Sequence, residues 1–188
     1  MKTKQLKLTF LLTVLLGMFT TKASAHDFEV ENDDGVTIYY KWNNMFKGME
    51  VSYRGSNPYE YSNEYQGKVI IPETVTYDGT TYKVYGIGQG TFDHCTDLTE
   101  VVLPNGLWII WEYAFNCCTS LTSVNIPNTV VIIGSNAFAG CSSLSSLEIP
   151  NSVTSIQQGA FQYCQSLTSM VIPNSVTSIE EMTFSGCI

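Results

Sequence analysis

Residues 121–143 read Leu-Thr-Ser-Val-Asn-Ile-Pro-Asn-Thr-Val-Val-Ile-Ile-Gly-Ser-Asn-Ala-Phe-Ala-Gly-Cys-Ser-Ser, and this unit recurs in phase at 98–120, 144–166 and 167–188. Aromatic, thiol and proline positions keep the 23-residue step; they are Phe92, Phe115, Phe138, Phe161 and Phe184, Cys95, Cys118, Cys141, Cys164 and Cys187, and Pro104, Pro127, Pro150 and Pro173. A fixed period of this length indicates a stacked-repeat protein, in which each unit buries its apolar side against its neighbours.

The first half of the unit has the pattern of a short strand. Val124 and Ile126 fall on one side of an extended segment, and Ser123 and Asn125 fall on the other. Pro127 then ends the strand, because proline has no N–H to give to a ladder. One face of this strand is therefore expected to face solvent.

The second half of the unit predicts a second extended stretch and a turn of helix. Residues 130–133 are β-branched, Gly134 frees the backbone, and 135–141 suit one or two helical turns. Each coil is therefore predicted to contain a strand, a turn, a short extended piece and a short helix.

The unit Leu-Thr-Ser-Val-Asn-Ile-Pro-Asn…Val…Ile-Gly…Ala-Phe…Gly-Cys resembles the BspA-like, treponemal-type leucine-rich repeats of bacterial surface proteins over 67–188. The resemblance implies a β-rich α/β fold, a right-handed leucine-rich-repeat solenoid with parallel strands and short helical turns. It also implies adhesion, with a host extracellular matrix protein or a bacterial surface protein as partner. Where the commoner leucine-rich repeat has Asn or Cys, this chain has Thr129, Ser152 or Ser175.

The amino terminus has the pattern of a secretory signal peptide. Lysines at 2, 4 and 7 precede an apolar run over 8–19 and the small residues Ala23-Ser24-Ala25. The run is shorter than the ~20 residues that span a bilayer. We expect cleavage after Ala25 and no membrane insertion of the exported chain, which is secreted or held at the cell surface.

Removal of residues 1–25 makes the chain strongly acidic. Four of the nine basic residues lie there, which leaves five against 17 acidic residues and a net charge of −12. No Lys or Arg follows Lys83. This balance argues against nucleic acid or an anionic membrane as the partner, because both require basic surface.

The exported part divides by composition. Residues 26–66 are predicted to form a β-rich cap over the first coil, and 67–97 an imperfect first repeat with a hairpin inserted around Asp78-Gly79. The sequence stops at Ile188, where another unit would begin. A truncated gene product, or a segment of a longer exported protein whose activity lies elsewhere, is therefore the alternative interpretation.

The cysteines are predicted to stack as reduced core residues. Coils in register lie ~4.8 Å apart, and equivalent cysteines then have parallel Cβ vectors instead of the converging ones that a disulfide prefers. Cys117 differs, because it aligns with His94, Gly140 and Tyr163 and is expected at the surface. It is the one candidate for a reactive or pairing thiol.

Catalytic, metal and cofactor patterns are weak. His26 and His94 are the only histidines, and no Cys-x-x-Cys or Gly-x-Ser-x-Gly spacing occurs. The glycines at 86, 88 and 90 align with the repeat instead of with a phosphate loop. We expect neither enzyme activity nor a cofactor or metal.

The outward strand positions remain as candidate partner-binding residues. They are Glu100, Val102, Ser123, Asn125, Ser146, Glu148, Ser169 and Val171. Such an extended face is what solenoids use for binding. Trp108 and Trp111 form a second candidate, because their equivalents in other coils are mostly polar. Packing of the two tryptophans against the inserted hairpin is the alternative.

Overall fold

The computed structural model of the protein describes residues 26–60 and 63–187. Within these ranges the chain forms eleven strands: β1 Phe28–Glu31, β2 Thr37–Asn43, β3 Gly48–Ser52, β4 Gly67–Ile70, β5 Thr74–Tyr77, β6 Thr80–Ile87, β7 Leu98–Val102, β8 Ile109–Ile110, β9 Ser123–Asn125, β10 Ile132–Ile133 and β11 Ser155–Ile156. We call 67–97, 98–120, 121–143, 144–166 and 167–187 coils 1 to 5. The predicted signal peptide lies outside the described residues.

The larger sheet joins the amino-terminal strands to the coils. Its order is β1-β2-β3-β6-β8-β10-β11, with β5 paired to β6. Pairing is antiparallel from β1 to β3 and parallel from β3 onward, and β5 and β6 meet antiparallel across Asp78 and Gly79. Along the coils, equivalent isoleucines pair, as Ile110 with Ile133 and Ile133 with Ile156.

The smaller sheet contains the first strand of successive coils. Its order is β4-β7-β9, and all pairs are parallel. Val101 pairs with Val124 and both are buried, while Ser123 and Asn125 on either side of Val124 are exposed. The predicted alternation of this strand is thus confirmed. The equivalent segments at 146–148 and 169–171 contain no strand pairing among the described residues.

Between the two sheets, equivalent side chains stack into columns. Rings of Phe92, Phe115, Phe138, Phe161 and Phe184 follow one another with centroid separations of 4.9, 4.9, 5.6 and 5.7 Å. These spacings are close to the separation of neighbouring strands in a sheet. The stacked coils of equal length predicted from the period are therefore confirmed.

The cysteine column runs beside the rings. Each of the thiols of Cys118, Cys141, Cys164 and Cys187 donates to the carbonyl of a phenylalanine in the preceding coil, at 3.0 to 3.2 Å. All six cysteines are free, and those at 95, 118, 141 and 164 are buried. The thiols thus act as small core residues with a weak hydrogen bond.

The prediction of helical turns at 135–141 is wrong, because the described residues contain no helix. The Ala137 N–H donates three residues back within its coil, whereas the Phe138 N–H donates to the Ala160 carbonyl of the next coil at 2.8 Å. An α-helix needs every N–H for the carbonyl four residues earlier. Here alternate amides are engaged between coils, and Asn136 has a left-handed φ of 54° that no α-helix accommodates.

The first coil is covered on its amino-terminal side. Tyr65 is 1% exposed and its ring lies edge-on to Phe92 at 4.7 Å. The Tyr65 hydroxyl donates to the Ser52 carbonyl at 3.0 Å, which links β3 to the aromatic column. No helix in the described part of the chain has the length and apolar character needed to cross a membrane.

Candidate binding surfaces

The outward side of the smaller sheet and its extension along the later coils form what we call the strand face. It contains the eight predicted residues Glu100, Val102, Ser123, Asn125, Ser146, Glu148, Ser169 and Val171. Glu100 and Val102 are half-buried and the other six are exposed, with Val171 83% exposed. The β7 and β9 pairing aligns Glu100 with Ser123 and Val102 with Asn125. The structure thus aligns four of the eight positions across β7 and β9, and the four in coils 4 and 5 are exposed at the equivalent places of the repeat.

Polar contacts order the amino-terminal half of the strand face. Lys68 Nζ lies 2.8 Å from Glu100 Oε1, and both side chains are substantially exposed. The Asn125 side-chain oxygen accepts from the Leu103 N–H at 3.2 Å. The described residues of coils 2 to 5 contain no Lys or Arg, so beyond the Lys68–Glu100 pair the strand face is neutral to acidic.

The two tryptophans pack against the β2–β3 turn. Phe46, in that turn, lies 5.1 Å from the Trp108 ring and 6.4 Å from the Trp111 ring. Phe46 also contacts Tyr85 of β6 at 4.9 Å. Trp108 remains 37% exposed, while Trp111 is half-buried and its buried indole N–H has no hydrogen-bond acceptor among the described residues.

The aromatic cluster combines features of both interpretations of the tryptophans. Trp108 stays partly exposed, while Phe46 and Tyr85 of β6, a strand of the inserted hairpin, lie in the same cluster as Trp111. The Tyr85 hydroxyl donates to Glu50 Oε2 at 2.9 Å, and burial together with the Glu50 carboxylate raises the pKa of Tyr85. The Phe46 contacts pack the β2–β3 turn against coil 2.

A third surface follows the tight turns after the larger sheet, and the sequence analysis missed it. We call it the turn column, defined by the exposed side chains Tyr59, Tyr113, Tyr163 and Met182 and the turns that hold them. They are 63, 38, 54 and 58% exposed. The signal was available in the sequence, because Tyr113 and Tyr163 stand where equivalent units have Asn136, Gly140 and Gly159.

A buried carboxylate anchors the amino-terminal end of the turn column. Asp93 is 3% exposed and accepts from His94 Nδ1 at 2.7 Å and Asn116 Nδ2 at 2.8 Å. The Tyr59 ring lies edge-on to His94 at 5.4 Å, and the neighbouring Asp93 carboxylate raises the pKa of Tyr59. These contacts place Tyr59 over the turn of coil 1.

Cys117 is half-buried within the same turns. Burial, assisted by the Asp93 carboxylate, raises the pKa of its thiol. A raised pKa lowers the fraction of thiolate at neutral pH, which is the nucleophilic form. The described residues contain no group of three or more His, Cys, Asp or Glu side chains arranged to hold a metal ion.

Comparison with known proteins gives the family. A profile of the BspA-type leucine-rich repeat region matches residues 57–188 with six copies. The chain belongs to the BspA-type leucine-rich repeat family. No curated protein matches it.

Solved structures of bacterial leucine-rich repeat proteins share its fold. One from Bacteroides ovatus is 29% identical with a TM-score of 0.68, and the match covers 86% of this chain and 45% of that one. The Treponema pallidum leucine-rich repeat protein is 27% identical with a TM-score of 0.69, covering 84% and 68%. A leucine-rich cell surface protein from Faecalibacterium prausnitzii is 30% identical with a TM-score of 0.65, covering 85% and 40%.

The matched part is therefore less than half of two of these three leucine-rich repeat neighbours. Their shared feature with this chain is the coil architecture. What the coils of this chain bind must be argued from its own side chains.

Proposed function

We propose that the protein is an exported, non-catalytic binding scaffold that adheres to a protein of the host extracellular matrix or of a bacterial surface through its strand face. The observation that carries the proposal is the exposure of six of the eight strand-face positions on a column of stacked coils. A rigid solenoid presents such positions at fixed spacing, so little conformational entropy is lost on binding.

The surface location has separate support. The amino-terminal sequence has the pattern of a signal peptide with cleavage after Ala25, and one structural neighbour is described as a cell surface protein. Cleavage would be measured directly by amino-terminal sequencing of the exported protein. An amino terminus other than His26 would contradict the proposed site.

The binding face is tested by reversing its chemistry. Replacement of Ser123, Asn125, Ser146 and Glu148 together by Lys adds four long cations to exposed positions, so the fold should persist while binding to an immobilised matrix-protein preparation falls at least about tenfold. Circular dichroism and the urea midpoint would verify folding. Binding would be followed by surface plasmon resonance.

A charge-matched control separates the strand face from net charge. Four exposed residues lie outside the eight strand-face positions, namely Glu73, Thr154, Gln165 and Ser166. Their joint replacement by Lys changes the net charge by the same amount. This variant should bind as the parent does. Equal loss in both variants, or none in the strand-face variant, would contradict the proposal.

A second candidate follows from the lengths of the neighbours. Two of them extend well beyond the matched region, which covers 45% and 40% of their chains. The coils would then be one segment of a longer exported protein whose activity lies elsewhere. Sequencing the DNA after codon 188 tests this directly, because an open frame that continues into more coils or another domain supports it and an immediate stop codon contradicts it.

A further inference from the structure

Two backbone positions in every coil have the left-handed conformation. The first is occupied by Gly90, Tyr113, Asn136, Gly159 and Met182, and the second by His94, Cys117, Gly140, Tyr163 and Gly186. All ten φ angles lie between 54° and 77°. Glycine adopts this region freely, whereas a Cβ collides with the carbonyl that follows. Five of the ten positions therefore hold residues other than glycine and asparagine, at a conformational cost that glycine would avoid.

Burial does not offset this cost at three of the five. Tyr113, Tyr163 and Met182 are 38, 54 and 58% exposed. Residues held in the left-handed region persist where the surroundings enforce them, and they concentrate at binding sites. The exposed rings of Tyr113 and Tyr163 thus lie at backbone positions where stability alone would favour glycine.

Glycines of the next coil make room for Tyr163 and Cys117. A Cβ on Gly186 would collide with the Tyr163 ring, and one on Gly140 would lie 3.2 Å from the Cys117 sulfur. Tyr163 is therefore held in a defined position against the Gly186 backbone.

The composition of the turn column is that of a protein-recognition surface. Tyrosine provides a large amphipathic ring with two rotatable bonds, while Ser, Gly and Asn provide adaptable hydrogen bonding. The turns around Tyr113 and Tyr163 carry such partners, including Asn116, Asn136 and Ser185. Tyrosine and methionine are both enriched where proteins bind proteins.

Charge specifies the kind of segment that fits. No Lys or Arg follows Lys83, and Glu112 and Glu181 directly precede Tyr113 and Met182 in the chain. The face of a tyrosine ring attracts ammonium and guanidinium groups, and nearby carboxylates add to that attraction. An anionic partner would meet only like charge.

We propose that the turn column is a second binding surface, separate from the strand face, which takes a lysine- and arginine-rich polypeptide segment. The side chains that contact the segment are Tyr59, Tyr113, Tyr163 and Met182. The strand face, on the first strands of the coils, remains free for its own partner.

The test combines affinity with stability in one charge-neutral variant. Tyr113→Gly with Tyr163→Gly removes two rings and leaves the net charge unchanged. The affinity for a fluorescently labelled lysine-rich peptide, measured by anisotropy, should fall about five- to thirtyfold, since two exposed cation–π contacts are lost. The melting temperature should stay level or rise, because glycine fits the left-handed backbone.

Controls identify each way the proposal fails. The strand-face variant with four added lysines should bind the peptide as tightly as its charge-matched control does. A glutamate-rich peptide of equal length should not bind the parent protein. Unchanged affinity in the double variant would show that the peptide is attracted only by the net negative charge of the protein, and would overturn the proposal. A fall of several degrees in melting temperature would show that the two tyrosine rings stabilise the fold, which overturns the proposal. Binding of neutral dextran in place of the peptide would show that the turn column binds glycans, which also overturns it.

Discussion

Coil 3 and coil 5 carry the same sequence pattern but differ in burial. Phe138 and Ile133 of coil 3 are fully buried, whereas Ile179 of coil 5 is 48% exposed and Phe184 is only half-buried. The side chains are equivalent, so local sequence does not cause the difference. A coil of this solenoid acquires its core only when a neighbour covers each side.

The backbone shows the same contrast. The Phe138 N–H donates to the Ala160 carbonyl at 2.8 Å, and the Phe161 N–H donates to Thr183 at 3.0 Å. Among the described residues no carbonyl accepts from the Phe184 N–H. Each coil therefore depends on its carboxyl-terminal neighbour for hydrogen bonds as well as for apolar contact.

The largest effect expected from this contrast is at the phenylalanine column. Phe138→Ala should lower the free energy of unfolding by about 3–5 kcal/mol, since it removes a fully buried ring stacked on both faces and leaves a cavity. Phe184→Ala should cost less than half of that, because within 26–60 and 63–187 only Phe161 stacks on its ring. Urea unfolding of the two variants measures the difference. Equal losses would contradict the dependence on both neighbours.

The buried thiols give the second largest effect, which is a dependence of the folded protein's stability on pH. Burial raises the pKa of Cys95 from 9.0 to about 11. Above pH 9 the unfolded chain loses this proton while the folded protein keeps it, so stability is full below pH 9 and falls as the pH rises toward 11. The loss from Cys95 amounts to about 3 kcal/mol.

The urea midpoint between pH 7 and 10.5 measures this fall. Cys95→Ala removes one titrating thiol and should make the fall shallower, although other buried groups such as Cys164, with a pKa of about 12, continue to contribute. A fall of the same steepness in Cys95→Ala would show that the thiol is not protonated and buried as described.

The close approach of coils gives a third, intermediate effect. A Cβ on Gly134 would lie 2.6 Å from the Glu112 nitrogen and 2.7 Å from the Trp111 carbonyl carbon. Gly134→Ala should therefore cost about 1–3 kcal/mol by forcing the backbones of coils 2 and 3 apart. Glu181→Ala, at an exposed position of coil 5, should change the free energy of unfolding by less than about 0.5 kcal/mol. Urea unfolding of both variants measures the two changes. Similar effects at both positions would contradict the tight spacing of inner coils.

The smallest effect is expected where neither burial nor stacking is involved. Lys68 and Glu100 form an ion pair at 2.8 Å with side chains 50 and 38% exposed. Lys68→Ala should cost no more than about 1 kcal/mol, and the cost should shrink in high salt because exposed charges are screened. Thermal unfolding at two salt concentrations measures this. A larger, salt-independent loss would indicate a packing role for the lysine stem.

The repeating part of the fold could be predicted because period and burial are linked. A side chain that recurs every 23 residues occupies one place in every coil, so Phe115 and Phe138 had to stack once the coils were of equal length. The same logic placed Ser123 and Asn125 on the outside of their strand. Periodicity carries no information, however, about contacts between the coils and the unrepeated residues 26–66.

The contacts and conformations that the sequence does not predict follow from that limit and from backbone conformation. The packing of Phe46 on Trp108 joins residues 62 positions apart and leaves no periodic signal. The segment at 135–141 is compatible with a short helix by sequence, but hydrogen bonds between coils and the left-handed backbone at Asn136 exclude one. The turn column was missed because sequence reasoning expects glycine, not Tyr113 or Tyr163, at positive φ.

Native-state hydrogen exchange at the phenylalanine amides tests most directly whether each coil is completed by the next. The amides of Phe92, Phe115, Phe138 and Phe161 each donate to a carbonyl of the following coil, and they should exchange only through global unfolding. The Phe184 amide should exchange orders of magnitude faster. Protection of Phe184 equal to that of Phe138 would contradict the account.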